Sequence, residues 1–154
     1  MGLAYKSLVQ PQLEYASTIW CPYTKTNISN VETIQRRAIR WVKHEFSPLS
    51  SVTAMQKELD WRSLEHRRND ARLIMFYKIF HNLVAISLPP YIHRPSRITR
   101  HMHPLPLRQT HAKSDYLKFS FFPRTITLWN QLPSHIVTLP DLDQFKKAVA
   151  SIQY

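Results

Sequence analysis

The segment NISNVETIQRRAIRWVKH, residues 27–44, carries the clearest structural pattern in the chain. Apolar residues recur in it at spacings of three and four, which is the period of an amphipathic α-helix. Thr26 is placed to act as the N-cap of that helix. The residues of the apolar arc, which we expect to pack inward, are Ile28, Val31, Ile34, Ala38, Trp41 and Val42.

The opposite arc of this helix is basic. It carries Arg36, Arg37, Arg40 and Lys43, with no acidic residue between them on that face. Guanidinium and ammonium groups displace counterions from phosphates, which makes such a surface favourable for nucleic acid. We therefore predict that these four residues contact nucleic acid. The alternative is a solvated face without a ligand.

Two segments flank this helix. Residues 3–20 have a helical pattern with a break or kink at Pro11, because proline lacks the N–H group that a helix interior needs. On the other side, Ser50 or Ser51 can cap a short helix that reaches about Leu59.

The segment 63–83 is predicted to form a long helix capped by Ser63. Its second half, residues 73–80, is apolar on all sides. Such a helix either lies at the centre of the core or packs against something that the chain does not contain. A buried strand is less favoured, because polar helix-forming residues lead into the segment without a turn signal.

The C-terminal region predicts two more helices. Pro123 can occupy the first turn of a helix that continues through Leu132, and a further proline follows directly. Asp141 and Gln144 resemble a capping box for a last helix over 142–152. The residues of that helix expected to face inward are Leu142, Phe145 and Val149.

The segment 84–115 has a different character. Pro89, Pro90, Pro95, Pro104 and Pro106 exclude a long regular element, so a long loop is expected. The segment that follows, 116–122, alternates well enough to predict one short strand.

The expected fold is mainly α: a small array of about five helices with a long Pro-rich basic loop and room for one short strand. The sequence divides into four segments. They are a helical segment over 1–45, a helical pair over 46–83, the Pro/Arg/His-rich loop over 84–115 and a C-terminal helical segment over 116–154.

The charge balance indicates a polyanionic partner. The chain has 21 Lys and Arg against 10 Asp and Glu, which gives a formal net charge of +11. A second basic cluster, for which a solvated face is the preferred interpretation, consists of Arg62, Arg67, Arg68 and Arg72. A third cluster lies in the loop and its exit, over 84–124.

Several classes of enzyme are excluded by residues that the sequence lacks. Gly2 is the only glycine, so no glycine-rich phosphate loop or nucleophile elbow can form. Two-metal phosphoryl transfer needs clustered carboxylates, and the chain has no adjacent pair of aspartates. Asp141 and Asp143 stand at a helix start, where they act as capping residues. We therefore predict no catalytic residue and no cofactor.

A metal site is not expected either. His101, His103 and His111 lie close together, but no cysteine or nearby carboxylate completes a four-ligand set. We interpret them as solvated loop histidines. Cys21 is the only cysteine and has no visible base, so it is interpreted as a small packed side chain.

The sequence is also typical of an intracellular protein, nuclear or cytoplasmic, rather than a secreted one. A single cysteine allows no intrachain disulfide, and no apolar run has the pattern of a signal peptide or the length of a membrane span. Lys6 stands where a myristoylation motif needs Ser or Thr. No membrane partner is expected.

Short motifs along nearly the whole chain resemble the end of the reverse transcriptase of non-LTR, LINE-type (jockey-like) retrotransposons. The N-terminal motifs are Leu8-Val-Gln-Pro-Gln-Leu-Glu-Tyr-Ala-Ser17, Trp20-x-Pro-Tyr23 and Ile34-Gln-Arg-Arg-Ala38. The later motifs are Leu64-Glu-x-Arg-Arg68, Tyr77-Lys-Ile79, Phe121-Phe-Pro-Arg124, Leu128-Trp-Asn-x-Leu-Pro133 and Phe145-Lys146. Their order and spacing together are more specific than any one of them.

This resemblance implies a thumb over roughly 1–45, followed by the C-terminal domain of an RNA-directed DNA polymerase. The palm, with its metal-binding aspartates, would precede this region, so the resemblance implies no catalysis by the chain itself. It implies binding of RNA or RNA–DNA hybrid, with the rest of a polymerase body as a further partner. A helical protein-interaction module and a decayed retroelement remnant remain the alternatives.

Overall fold

The computed structural model describes residues 2–99, 102–109, 112 and 114–152. Within these ranges the chain is helical and contains no strand, which confirms the mainly α fold. The elements are α1 (Gly2–Ala4), a π-helical stretch (Tyr5–Val9), α2 (Gln10–Glu14), α3 (Lys25–Lys43), α4 (Val52–Glu58), α5 (Leu64–Phe80), α6 (Asp115–Lys118), α7 (Phe121–Asn130), α8 (Ser134–Val137) and α9 (Leu142–Ala150).

The chain forms two compact units whose boundary lies between Arg68 and Asn69, inside α5. The first unit holds α1 to α4 and the first turn of α5, and the second holds everything that follows. The sequence divided the chain into four segments, and none of the boundaries between those segments lies at this position. Each unit has a hydrophobic cluster of its own.

The N-terminal unit is built around a small aromatic core. Tyr5 and Trp61 stack with their ring centroids 4.8 Å apart, and Ile39 and Met55 complete the buried cluster. The π-helical stretch that supplies Tyr5 lies just before Pro11. Proline cannot donate a backbone hydrogen bond and crowds the carbonyl four residues earlier, so a local change of helix geometry is expected there. This is the irregularity that the sequence predicted at Pro11.

Helix α3 begins two residues earlier than the sequence indicated. Its N-cap is Thr24, not Thr26, and the Thr24 hydroxyl accepts a hydrogen bond from the Asn27 N–H at 3.3 Å. The helix ends at Lys43, and His44 follows with a left-handed φ of 52°. The Glu45 N–H then donates to the Arg40 carbonyl at 3.1 Å, which closes the helix end.

The predicted inward arc of α3 was wrong in part. The buried residues are Gln35 and Ile39, whereas Ile34 is 40% exposed and Trp41 is 62% exposed. At 3.6 residues per turn, Ile34 and Trp41 lie about 140–160° from Ile39 around the axis, on the edge of the apolar arc. The apolar arc of α3 is thus wider than the part of α3 on which the rest of the N-terminal unit packs. The Gln35 side-chain N–H donates to the Arg62 carbonyl at 2.9 Å, whereas its side-chain oxygen is buried without a hydrogen-bond partner.

The apolar second half of α5 lies at the centre of the C-terminal unit. Leu73, Phe76 and Tyr77 are almost fully buried, and Trp129 of α7 packs against Phe76 with ring centroids 5.1 Å apart. The Tyr77 hydroxyl donates to the Leu139 carbonyl at 2.8 Å, so the ring is buried without an unsatisfied polar atom. Of the two interpretations of this segment, a central position in the core is the correct one.

The expected caps of α4, α5 and α9 are confirmed. Ser51 accepts from the Ala54 N–H at 3.3 Å, and Ser63 accepts from the His66 N–H at 3.2 Å. The Asp141 carboxylate accepts from the N–H groups of Asp143 and Gln144 at 3.1 and 2.9 Å. Because such caps depend only on neighbouring residues, the sequence is enough to place them.

The predicted strand over 116–122 is wrong. Residues Asp115–Lys118 form α6, and α7 begins at Phe121. Within the described ranges no other strand exists for this segment to pair with, and a helix satisfies its backbone locally. Pro123 is the third residue of α7, and α8 follows as a short helix that the sequence did not predict.

The Pro-rich segment contains no helix before α6 in the residues described, as expected, but part of it is firmly packed. The Asn130 side chain satisfies both backbone polar groups of Leu107. Its amide oxygen accepts from the Leu107 N–H at 3.0 Å, and its amide N–H donates to the Leu107 carbonyl at 2.7 Å. The Trp129 indole donates to the Leu105 carbonyl at 2.9 Å. His103 is only 3% exposed. The interpretation of His103 as a solvated histidine was therefore wrong; His101 and His111 lie outside the described residues.

Left-handed backbone occurs at four described residues that are not glycine. Ala16, His44, Asp60 and Asn82 have φ between 50° and 55°. His44, Asp60 and Asn82 directly follow or nearly follow the ends of α3, α4 and α5. Glycine ordinarily occupies such positions because it has no Cβ to clash, but Gly2 is the only glycine in the chain.

Candidate nucleic-acid interface

The C-terminal half of α3 and the loop after it carry the four predicted contact residues. Arg36 and Arg37 are exposed. Within the part of the chain that the structure describes, neither has an ion pair or hydrogen bond from its guanidinium group. Both side chains can therefore meet a phosphate without first breaking an internal contact.

Arg40 has a different role from the one the sequence indicated. It is half-buried, and its guanidinium donates to the Ser47 carbonyl at 2.7 Å. Two longer bonds, each of 3.4 Å, reach the carbonyls of Glu45 and Ser50. These contacts fix the loop that follows α3. The Arg40 guanidinium thus holds the loop after α3 in place and does not extend freely into solvent.

Lys43 has an internal partner, as Arg40 does, but remains partly exposed to solvent. Its ammonium group pairs with the Glu58 carboxylate at 2.6 Å, and the two side chains are 34% and 60% exposed. An ion pair this exposed contributes little to stability, because water competes for both charges. Lys43 can exchange Glu58 for a phosphate at small cost.

Trp41 is an exposed residue of this candidate interface, although the sequence pattern assigned it to the core. Its indole is 62% exposed and meets Phe46 edge to face, with ring centroids 6.3 Å apart and an interplanar angle of 85°. Phe46 is itself 60% exposed. Two aromatic rings in mutual contact are therefore largely exposed to solvent, one on α3 and one in the loop after it. The position of Trp41 at the edge of the apolar arc was the signal that could have revealed this.

One face of Trp41 borders an apolar groove of about 310 Å³ within the N-terminal unit. The groove lies between α3 and the N-terminal helical segment, and it is lined by Ala4, Tyr5, Leu8, Val9, Ala38, Trp41 and Val42. Burial, together with the nearby Glu14 and Glu32, raises the pKa of Tyr5 to about 12. The phenol therefore stays neutral at physiological pH.

The acidic side chains of this region already have partners. Glu32 accepts from the Glu65 N–H at 2.7 Å and pairs with the buried Arg68 at 3.8 Å. Glu45 accepts from the Ser47 N–H at 3.0 Å. Hydrogen bonds from the Ser50 side chain and the Ser47 backbone lower the pKa of Glu45 below its usual value. Because Glu32 and Glu45 bind other groups of the protein, the charges of Arg36 and Arg37 remain available to a ligand.

The second basic cluster is not the solvated face that we expected. Arg68 and Arg72 are each 1% exposed, and Arg67 forms a bidentate pair with Glu14. A long helix at the centre of a fold buries residues on all its sides, including basic ones. Arg67, Arg68 and Arg72 are therefore structural groups that are buried or paired inside the protein.

The histidines and carboxylates of the described residues form no group of three that could hold a metal ion. His103 is held as a neutral ring, because its Nδ1 accepts from the Leu105 N–H at 3.1 Å and its Nε2–H donates to the Trp129 carbonyl at 3.0 Å. Burial lowers the pKa of His103, and also that of His81. His103 is therefore a structural residue.

The interface thus combines two free arginines, one exchangeable lysine and an exposed aromatic pair on a rigid helix and its tethered loop. Such a surface can bind a polyanion and contact flat rings. Among the described helices, none is both long and apolar enough to pass through a bilayer. Comparison with protein-family models, with curated proteins and with solved structures found no match to this chain.

Proposed function

We propose that the chain binds RNA or RNA–DNA hybrid through α3, as the non-catalytic thumb and C-terminal portion of a non-LTR retrotransposon RNA-directed DNA polymerase. The observation that carries the binding part of the proposal is the exposed pair Arg36 and Arg37, which has no internal partner in the described residues. The net charge of +11 supports it. The retrotransposon part is supported by the ordered motifs that extend from Leu8 to Lys146.

In this proposal α3 holds nucleic acid by its backbone. Arginine and lysine contacts to phosphates set the position of a ligand without distinguishing its sequence. Arg36 and Arg37 make the contacts directly, Lys43 joins them by leaving Glu58, and Arg40 keeps the adjoining loop in place. The chain does not polymerise by itself, since it has no aspartate pair for two metal ions.

The direct test removes both free charges. The variant Arg36→Gln/Arg37→Gln should bind RNA and RNA–DNA hybrid more weakly than the wild type in a fluorescence anisotropy titration. The slope of log K against log salt should become shallower by about 0.7–0.9 for each phosphate that the variant no longer neutralises.

The matched control is Lys57→Gln/Lys147→Gln, which removes two exposed charges from other helices. If the control weakens binding and flattens the salt slope as much as the α3 variant does, net charge alone explains the binding. If neither variant changes them, the α3 interface is not the binding site.

The second candidate function is protein interaction, and the exposed apolar residues of the N-terminal unit favour it. Leu3 is 84% exposed, Leu8 66% and Trp41 62%. The rest of a polymerase body is the partner that the resemblance implies. Salt-insensitive binding to such a body, without any affinity for nucleic acid, would favour this function. The lack of both activities would favour a decayed remnant.

A further inference from the structure

We infer that Trp41 and Phe46 form a stacking platform for unpaired nucleobases, so that the α3 surface prefers single-stranded nucleic acid to duplex. The inference rests on the proposed function and adds to it the class of ligand. It starts from the exposure of two aromatic rings, 62% for Trp41 and 60% for Phe46, on α3 and in the loop after it. Two exposed rings in mutual contact form a larger apolar patch than a ring that stands singly, and such patches mark interaction sites.

The platform is held in place by internal contacts. Trp41 lies on α3, and Phe46 lies in the loop whose carbonyls accept three hydrogen bonds from Arg40. The edge-to-face contact between the two rings fixes their relative orientation. The exposed part of the indole is thereby held on a rigid support, which reduces the entropy cost when a flat ring stacks on it.

The charges around the platform suit a sugar–phosphate chain. Arg37 stands one helical turn before Trp41, about 40° from it around the axis of α3, so the two residues are neighbours on the helix surface. Arg36 and Lys43 lie on the other side of α3, about 140–160° from Trp41 around the axis. The nearby carboxylates of Glu32 and Glu45 are taken up by internal hydrogen bonds. A nucleotide whose base stacks on Trp41 therefore has one cation, that of Arg37, next to it on the helix surface.

The groove behind Trp41 gives a second base a place to lie. Its lining is almost wholly apolar, and its volume of about 310 Å³ is at the lower end of the range for small-ligand pockets. Flat heteroaromatic rings fit such a groove, whereas phosphates do not. The net charge of +11 and the position of Arg37 one turn from Trp41 favour a polyanion as the molecule that carries those rings, which is why we commit to a nucleic-acid strand rather than a peptide.

The preference for single strands follows from the geometry of stacking. In a duplex each base is already paired and covered by its neighbours, so its faces are not free for a protein ring. Aromatic platforms next to a basic groove therefore bind unpaired nucleotides, largely without regard to sequence. An oligonucleotide with its bases removed would keep the phosphates and lose the stacking.

The test compares three probes on the wild-type chain: an oligouridylate, the same oligomer with abasic sites throughout, and an RNA duplex with the same number of phosphates. We expect the oligouridylate to bind about tenfold or more tightly than the abasic oligomer. Trp41→Leu should remove most of that difference, Trp41→Phe should keep most of it, and neither should alter binding to duplex. Because Trp41 is exposed, both variants should fold, which circular dichroism would check.

The outcomes separate this inference from the proposed function. If all three probes bind equally and Trp41→Leu changes nothing, the stacking platform is refuted while phosphate binding by α3 stands. If no probe binds, both fail together. If a polyglutamate peptide competes with the oligouridylate as well as free oligouridylate does, the platform serves an acidic peptide and the inference is wrong. If a variant fails to fold, the affinities of the wild-type chain for the three probes still test whether unpaired bases stack on the platform.

Discussion

Replacing Arg40 with glutamine separates a positioning role from a ligand-contacting role on the same helix. The sequence groups Arg40 with three exposed cations, but in the structure its guanidinium donates to the carbonyls of Glu45, Ser47 and Ser50. A glutamine is too short to reach all three. We therefore expect Arg40→Gln to destabilise the N-terminal unit, which Arg36→Gln should not do.

The size of the effect can be worked out from the hydrogen bonds. The bond to Ser47 is short, at 2.7 Å, whereas the other two are at the limit of a hydrogen bond, at 3.4 Å. Hydrogen bonds from a charged donor contribute roughly 1.5–3 kcal/mol each when well made. Arg40 is only half-buried, so water replaces part of what the glutamine cannot supply. We expect a decrease of about 2 kcal/mol in the free energy of unfolding.

Urea denaturation followed by circular dichroism measures this directly. With a denaturant slope of about 2 kcal/mol per molar, the midpoint should fall by about 1 M. The matched control, Arg36→Gln, changes an exposed residue without internal contacts and should stay within about 0.5 kcal/mol of the wild type. Amide hydrogen exchange in the loop over 45–50 should also become faster. Equal midpoints for the two variants would refute the positioning role.

Three further predictions concern other parts of the chain. Glu32→Gln leaves the buried guanidinium of Arg68 without its counter-charge and should destabilise the fold by about 3–5 kcal/mol in urea denaturation; an unchanged midpoint would contradict this. Burial lowers the pKa of His103, so its contribution to stability is complete above the ordinary value of 6.5 and is lost as the pH falls through the lowered pKa. Thermal unfolding should show that His103→Gln, which keeps an amide donor, is less acid-sensitive than the wild type; equal acid sensitivity would contradict this. In limited proteolysis, trypsin should cut first after the exposed Arg97, and first cleavage within 103–109 would show that the anchoring by Asn130 is weak.

The elements that the sequence predicted well are those fixed by neighbouring residues. The caps at Ser51, Ser63 and Asp141 need only the next few N–H groups, so local sequence identifies them. The apolar half of α5 was also recognisable, because an all-apolar helix has few places to lie. The mainly α fold could be predicted as well, because the helical spacing of apolar residues and the helix caps are both local patterns in the sequence.

Apart from the N-cap of α3, which is Thr24 and not Thr26, the failures involve contacts distant in sequence. Whether Trp41 is buried depends on how much of α3 the rest of the N-terminal unit covers, which periodicity does not reveal. His103 is buried by Trp129, 26 residues further along the chain, and Arg68 by its place in a central helix. The strand predicted at 116–122 had the right alternation, but a strand also needs a partner, and the described residues supply none.

The exposure of Trp41 also determines how strongly Trp41→Ala should destabilise the protein. A fully buried indole would have contributed roughly 3–5 kcal/mol to stability. Because the ring is 62% exposed, most of its area is not removed from water on folding, and the destabilisation should be much smaller. A residue that the sequence assigns to folding is thereby left available for a ligand.

The left-handed corners of this nearly glycine-free chain leave room for its stability to be raised. A residue with a Cβ is destabilised by roughly 1–2 kcal/mol in that conformation, with Asn and Asp affected least, and glycine recovers this at an entropic cost of about 0.5–1 kcal/mol. Ala16 and His44 therefore hold the most strain. Ala16 lies outside the α3 surface, so it offers a single position where a more robust protein could be made with the interface untouched. Variants of Arg37 or Trp41 could then be compared on a background in which folding is no longer limiting.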